Sequence, residues 1–281
     1  MKKIAKITRK ENGHWVGDGF PVRTLFSYHH DGAAVSPFLL LDYAGPLEFA
    51  PADAPRGVGF HPHRGFETVT IAYQGEVDHR DTAGHSGTIR PGEVQWMTAA
   101  RGVLHEEMHS AEFTRKGGVF EAVQLWVNLP AADKMTDPRY QALTLDTIPV
   151  VPVDGGTVRV IAGDYHGTKG PAHSVTPVNL WDIALKAGGK LALNVPAGHS
   201  AMLLAMRGPV RINGQEIAGS GELAQFEPNG THIDIEAVGD AALLFMGGEP
   251  IGEPIAGYGP FVMNTQAEIE QAIADFETGK F

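Results

Sequence analysis

Two stretches of this chain each carry two potential metal ligands spaced i, i+2. The first is Gly59-Phe60-His61-Pro62-His63-Arg64-Gly65-Phe66-Glu67, and the second is Val103-Leu104-His105-Glu106-Glu107. On a β-strand successive side chains point to opposite faces, so an i, i+2 pair shares a face. If both stretches are strands with those faces turned inward, three imidazoles and one carboxylate converge. Three nitrogens and one oxygen suit iron, nickel, cobalt, copper or zinc, and manganese tolerates the set. An octahedral ion with four protein ligands keeps two positions for water and a substrate oxygen. The chain has no cysteine, which removes disulfides, thiolate metal sites and cysteine nucleophiles. Structural zinc sites usually use cysteine and are closed, so an open, reactive site is expected.

The surrounding sequence supports strands. Glycine (35) and proline (19) are frequent in the 281 residues, and long helical patterns are nearly absent. That combination favours short strands joined by tight turns. Phe66 to Tyr73 is rich in β-branched and aromatic residues. His61, His63, Glu67, Val69, Ile71 and Tyr73 share one parity if the strand is continuous. Val103, His105, Glu107 and His109 share a face on the second ligand strand. The apolar runs Pro37 to Tyr43 and Phe120 to Leu129 read as buried strands.

After Pro130 a polar stretch to about Pro138 marks the crossing between domains, with 1–132 and 133–281 as the two halves. Short strand candidates recur from Thr157 to Met246 and suggest a second sandwich or barrel. A weak internal repeat relates the halves. Pro91-Gly92-Glu93-Val94 resembles Ser220-Gly221-Glu222-Leu223. Superposed by eye, the repeat puts Asn194 and Pro196 where the first half has His61 and His63. Ile233 and Ile235 fall where it has His105 and Glu107, so one half alone is expected to carry metal. Near the end Thr265-Gln266-Ala267-Glu268 is a capping box. Ile269, Ala272, Ile273 and Phe276 follow at helical spacing, giving a helix over 266–277 that packs on a barrel.

Other histidines have blander readings. Glu67 is expected to accept from a ligand imidazole rather than to bind the ion. His109 lies one pleat beyond Glu107, roughly 7 Å away, and reads as a substrate contact or a surface residue. His79 and His85 read as loop histidines. Gly198-His199-Ser200 begins like a nucleophile elbow, but Met202 stands where its closing glycine should be. No phosphate-cradling loop or dinucleotide fingerprint is present. The net charge of −11 lacks the electrostatic footprint of direct nucleic-acid binding, and no apolar run reaches a membrane span. The basic start, Met1-Lys2-Lys3, lacks a following apolar segment, so a soluble cytoplasmic protein is expected.

His61-x-His63-x-x-x-Glu67 resembles the first motif of the cupin superfamily. The segment from Gly92 to His105 resembles the second, with Ala100 in place of the usual proline. Across nearly its whole length the chain is similar to the pirin family. The similarity is carried by Ser36-Pro37-Phe38-Leu39-Leu40-Leu41-Asp42, His61 to Val69, Gln95 to Ala99, Arg101 to His105 and Gly259 to Thr265. The resemblance implies a bicupin: all-β, two cupin-type barrels and a short C-terminal helix. It implies one divalent ion, usually iron(II), in the N-terminal barrel on His61, His63, His105 and Glu107, with Glu67 not a ligand. It also implies a quercetin 2,3-dioxygenase-type oxidoreductase that opens a flavonol ring with O₂ and releases carbon monoxide. In such a reaction Glu107 is expected to accept the substrate's hydroxyl proton while remaining a ligand. The rival expectation is a metal- or redox-sensing protein that regulates a partner protein, since some eukaryotic relatives are transcriptional co-regulators.

Overall fold

A computed structural model describes residues 1–9, 12–214 and 216–281. Most of it is antiparallel strand, and contacts divide it into two compact units. One comprises Asn12–Leu145 with Ile251–Phe281, the other Met1–Glu11 with Asp146–Pro250. The units therefore exchange ends relative to a cut at 132/133, and backbone pairing is the reason. Arg139–Leu143 lies beyond the cut but pairs with Val94–Thr98. Ile4–Thr8 pairs with Glu222–Phe226, deep in the second half of the sequence.

Among the described residues each unit is built on an antiparallel seven-stranded sheet and a four-stranded one, with a two-stranded ribbon besides. In the first unit the larger sheet runs Arg139–Leu143, Val94–Thr98, Phe66–Gln74, Gly118–Asn128, Phe38–Phe49, Phe20–Ser27, His14–Val16. The smaller runs Gly57–His63, Val103–His109, Val77–Asp81, Ser86–Ile89. Both sheets end in edge strands, and among the described residues no ladder joins them into a closed barrel. In the other unit Leu191 pairs with Ile235 and Leu193 with Ile233, and all four are buried in one apolar core. Leu193, not Asn194, thus sits opposite Ile233; Asn194 and Pro196 are exposed. The by-eye repeat was displaced by one residue, which on a strand exchanges faces.

The alternation from His61 to Tyr73 does not mark one strand. Gly57–His63 pairs with Val103–His109 in the small sheet, whereas Phe66–Gln74 lies in the large one. The chain changes sheets at Arg64 and Gly65. Gly65 has φ 91°, and a β-carbon there would run into the Val262 carbonyl, so glycine is required twice over. Ala100 has φ 44°, a conformation closed to the proline usual at that place in the motif.

The turn after His63 is clamped by the C-terminal segment. Arg64 N–H donates to the Pro260 carbonyl at 3.2 Å, and Val262 N–H donates back to the Arg64 carbonyl at 3.0 Å. The buried Lys134 ammonium donates to the Gly65 and Val262 carbonyls at 2.7 and 3.0 Å and to Asn128 Oδ1 at 2.7 Å. All three of its protons are thereby used, which offsets the cost of burying its charge. The helix Gln266–Glu277 is closed by the Thr265–Glu268 capping box and buries Ile269 and Ala272 beside Phe261 and Met263. Phe276 stays partly exposed. From the helix Asp275 Oδ2 accepts from Arg64 Nη1 at 2.9 Å, while the Phe281 ring lies 4.5 Å from the same guanidinium.

That ion pair makes a pH-dependent clamp. The Arg64 hydrogen bond, followed by those of Gln271 and Lys280, lowers the Asp275 carboxyl from 3.8 to about 2. A depressed carboxylate stabilises the native state fully above pH 3.8 and ceases to as pH falls through 2. Asp275→Asn should therefore accelerate amide hydrogen exchange in the helix roughly three- to tenfold at neutral pH. The wild type should show the same acceleration only in that acid window. Identical exchange at pH 7 would remove the clamp from the account.

Candidate metal centre

The register of the two ligand strands assembles the cluster. His105 pairs directly with His61, and Val103 with His63. His61, His63 and His105 each offer a ring nitrogen within 4.8 Å of the others, a group that could hold a metal ion. The rings are in contact, with centroids 4.3 to 4.9 Å apart. His63 and His105 are buried, while His61 is half-buried and faces a cavity. Desolvation, reinforced by the neighbouring imidazoles, pushes both His63 and His105 well below the usual histidine range. Neutral rings keep the lone pairs that a metal needs.

His61 and His105 each have a hydrogen-bond partner on the small sheet. His61 Nδ1 donates to the Gly59 carbonyl at 2.9 Å. The Pro260 carbonyl lies against the His63 ring and favours its N–H. His105 Nδ1 lies 3.4 Å from His79 Nδ1, and His79 Nε2 lies 3.2 Å from Asp81 Oδ2. If His79 donates to Asp81 through Nε2, its Nδ1 is the acceptor for His105, and the lone pair of His105 falls on Nε2. That atom, like His63 Nδ1, is buried without a hydrogen-bond partner. Orphaned nitrogens in a cluster of neutral rings are what a bound cation would satisfy, so the donor set fits an ion.

His79 was unexpected in this role. It is no loop residue: it lies on Val77–Asp81, is 3% exposed and stacks on Tyr140. His79 and Asp81 are themselves an i, i+2 pair, a signal of the same kind as the ligand pairs. His85 completes the chain, its Nδ1 3.0 Å from Asp81 Oδ2.

Glu107 is not among the three grouped residues. A register shift after His105 places it opposite Val58, and its carboxylate is gripped by the large sheet. Oε1 accepts from Thr70 Oγ1 at 2.9 Å and from Gln95 Nε2, while Oε2 accepts from Gln124 Nε2 at 2.8 Å. A carboxylate has about four acceptor directions, so Oε2 keeps one. Glu67 is fully buried on the large sheet and accepts from Thr98 Oγ1 at 2.8 Å. His109 is 1% exposed, so it is not a surface residue. Its Nε2 bonds the Gly19 carbonyl at 2.9 Å, and its ring packs among Phe20, Phe49, Phe113 and Phe120.

His61 and Glu107 line a small cavity of about 40 Å³. Val16, Phe20, Val22, Ala44, Val58 and Ala122 supply apolar walls, and Asp42, Thr70 and Gln124 supply polar ones. Apolar walls with a few convergent polar groups are the mixture found in small-molecule sites.

An all-β chain of two cupin-type units, one bearing a histidine cluster beside a cavity, defines a cupin-class protein. Two family models agree: Pirin matches residues 19–127, and the Pirin C-terminal cupin domain matches residues 180–281. The chain belongs to the pirin family. It is 55% identical over 283 residues to a Pseudomonas aeruginosa protein named provisionally as a quercetin 2,3-dioxygenase, covering 100% of this chain and 99% of the relative. A crystal structure titled quercetin 2,3-dioxygenase from Acinetobacter baumannii superposes with a TM-score of 0.97 at 52% identity, covering 100% and 98% of the two chains. A bacterial pirin from Escherichia coli in complex with nickel(II) superposes with a TM-score of 0.68 over 87% and 99%; at 20% identity it bears on the fold alone.

An ion held by these rings should depend on the groups behind them. Replacing His79 by Gln removes the ring that orients His105, and metal affinity measured by chelator competition should fall roughly ten- to a hundredfold. Unchanged affinity would show that His79 does not orient the ligand.

Proposed function

We propose that this protein is a metal-dependent dioxygenase acting on flavonol-type substrates. His61, His63 and His105, with Glu107 through Oε2, would hold one divalent ion, iron(II) being our first choice. When bound, the ion supplies Lewis acidity toward a substrate hydroxyl and a route for O₂ chemistry. The observation that carries the reading is the cavity: its apolar walls meet the free face of His61 and the carboxylate of Glu107 in one chamber. A cluster packed in solid core would favour a sensor of metal or redox state; a cavity lined by His61 and Glu107 favours the enzyme.

The remaining work falls to this chain's own residues. Phe20, Val22 and Val58 offer flat apolar surface to an aromatic ring and exclude water. Thr70, Gln95 and Gln124 fix Glu107, so its carboxylate needs no reorganisation when a substrate arrives. With Oε2 given to the ion, Glu107 can take the proton of the substrate hydroxyl, as a general base requires, where one of its three hydrogen bonds gives way. The names of the close relatives support the same reaction class.

Iron(II)-loaded wild type should consume O₂ and release carbon monoxide with quercetin, and His61→Ala should do so at least a hundredfold more slowly. Equal rates in the two, given slow oxidation of flavonols by free metal and base, would overturn the proposal.

A further inference from the structure

The chamber beside the histidines holds about 40 Å³. Sites that enclose a small organic molecule run to roughly 300–1,000 Å³. A flavonol enters only if a wall moves, and the strand pairing shows which wall is least tied. Asp42, Thr70 and Gln124 stand on strands bonded on both sides within the large sheet, and Glu107 on one bonded on both sides within the small sheet. Val58 and His61 are held along their strand by Val103–His109.

Val16, Phe20 and Val22 are tied differently. They belong to the hairpin of His14–Val16 and Phe20–Ser27. Its first strand is the edge of the large sheet and, among the described residues, pairs with the second strand alone. The second strand joins Phe38–Phe49 only from Arg23 onward, and Pro21 has no N–H to give either neighbour. Residues 14–22 are thus attached to their own sheet at one end.

The other end is fastened to the small sheet. Asp18 N–H donates to the Gly57 carbonyl at 3.0 Å, and Gly57 N–H donates back to Asp18 Oδ1 at 2.7 Å. Beside them the Gly19 carbonyl accepts from His109 Nε2 at 2.9 Å. Gly57 begins the strand that carries His61. Gly17, with φ 59°, comes so near that a β-carbon there would collide with the Gly57 carbonyl. Asp18 is exposed, so water can replace its hydrogen bonds when the turn lifts. Val16 and Phe20 are only half-buried, and Phe20 rests on the rings of His109 and Phe120. Few bonds at an exposed turn, with half-buried apolar contacts beneath, suit a segment that opens and recloses.

We propose that residues 14–22 form a lid: the turn at Asp18 releases Gly57, the hairpin swings about Arg23, and the chamber widens to admit a planar aromatic substrate before closing on it. This rests on the flavonol reading of the site and adds the route by which such a substrate enters.

Amide hydrogen exchange of zinc-loaded wild type, Asp18→Ala and Gly17→Ala, corrected for intrinsic rates, reads the lid itself. Asp18→Ala removes the acceptor of the Gly57 N–H, and Gly17→Ala forces the turn off the Gly57 carbonyl. Exchange over residues 14–22 should quicken roughly three- to tenfold in both variants, with Phe66–Gln74 unchanged. Anaerobic stopped-flow association of quercetin, read by its absorbance, should quicken by the same factor. Unchanged exchange in both variants, or quicker exchange with unchanged quercetin association, would overturn the lid and leave the flavonol reading standing. If neither wild type nor variant binds quercetin, the flavonol reading falls. The lid is then judged by the rate at which dipicolinate, a planar aromatic chelator, strips the zinc: a gain matching that in exchange upholds it, and equal rates overturn it.

Discussion

The site rests on the antiparallel register of Gly57–His63 against Val103–His109. Placing His105 opposite His61 and Val103 opposite His63 brings three imidazoles from two strands to one point. A slip of one residue would turn each pair to the opposite face. Burial then neutralises the buried rings, and the Gly59 carbonyl, the Pro260 carbonyl and His79 hold them from behind. The irregularity after His105 gives Glu107 a different fate. It leaves the histidine group and is delivered to the large sheet, where three donors hold it at the chamber wall. The two sheets of the sandwich therefore divide the labour: the small one supplies the imidazoles, and the large one positions the carboxylate.

That register is defended from the far end of the chain. Between the ligand strand and the large sheet only Arg64 and Gly65 intervene, and both are tied to the C-terminal segment. The Pro260–Val262 backbone, the Lys134 ammonium, Asp275 and the Phe281 ring all bear on this two-residue turn. A helix remote in sequence is in this way a support for His63. The contribution is positional: no C-terminal side chain reaches the chamber lining.

Much of this was legible before any coordinates. The two i, i+2 pairs named the histidines because a pleated strand can use them in one way only. The capping box fixed the start of the helix, since Thr265 and Glu268 satisfy each other locally. Ile233 and Ile235 read as core positions of the second half, and both are buried in its apolar core. What stayed hidden depends on contacts that local pattern does not encode. Alternation from His61 to Tyr73 looked continuous because Arg64-Gly65 reverses the chain without breaking the parity count. His109 looked exposed because nothing in its neighbourhood announces the phenylalanines that other strands bring to it. The cradle of Glu107 exists only because separate strands of the large sheet bring Thr70, Gln95 and Gln124 side by side. The exchange of ends between the units follows from edge-strand pairing over most of the chain's length. His79 is the instructive miss: with Asp81 it repeats the very spacing that singled out the clustered histidines.

The central claim is that one ion sits where His61, His63 and His105 converge, with Glu107 beside it. An anomalous-difference map from crystals of the protein loaded with iron(II) or nickel(II) tests it directly. The account predicts a single strong peak about 2.0–2.2 Å from one nitrogen of each ring and from a Glu107 oxygen. A peak bound elsewhere, or one touching fewer than three of these rings, would contradict it.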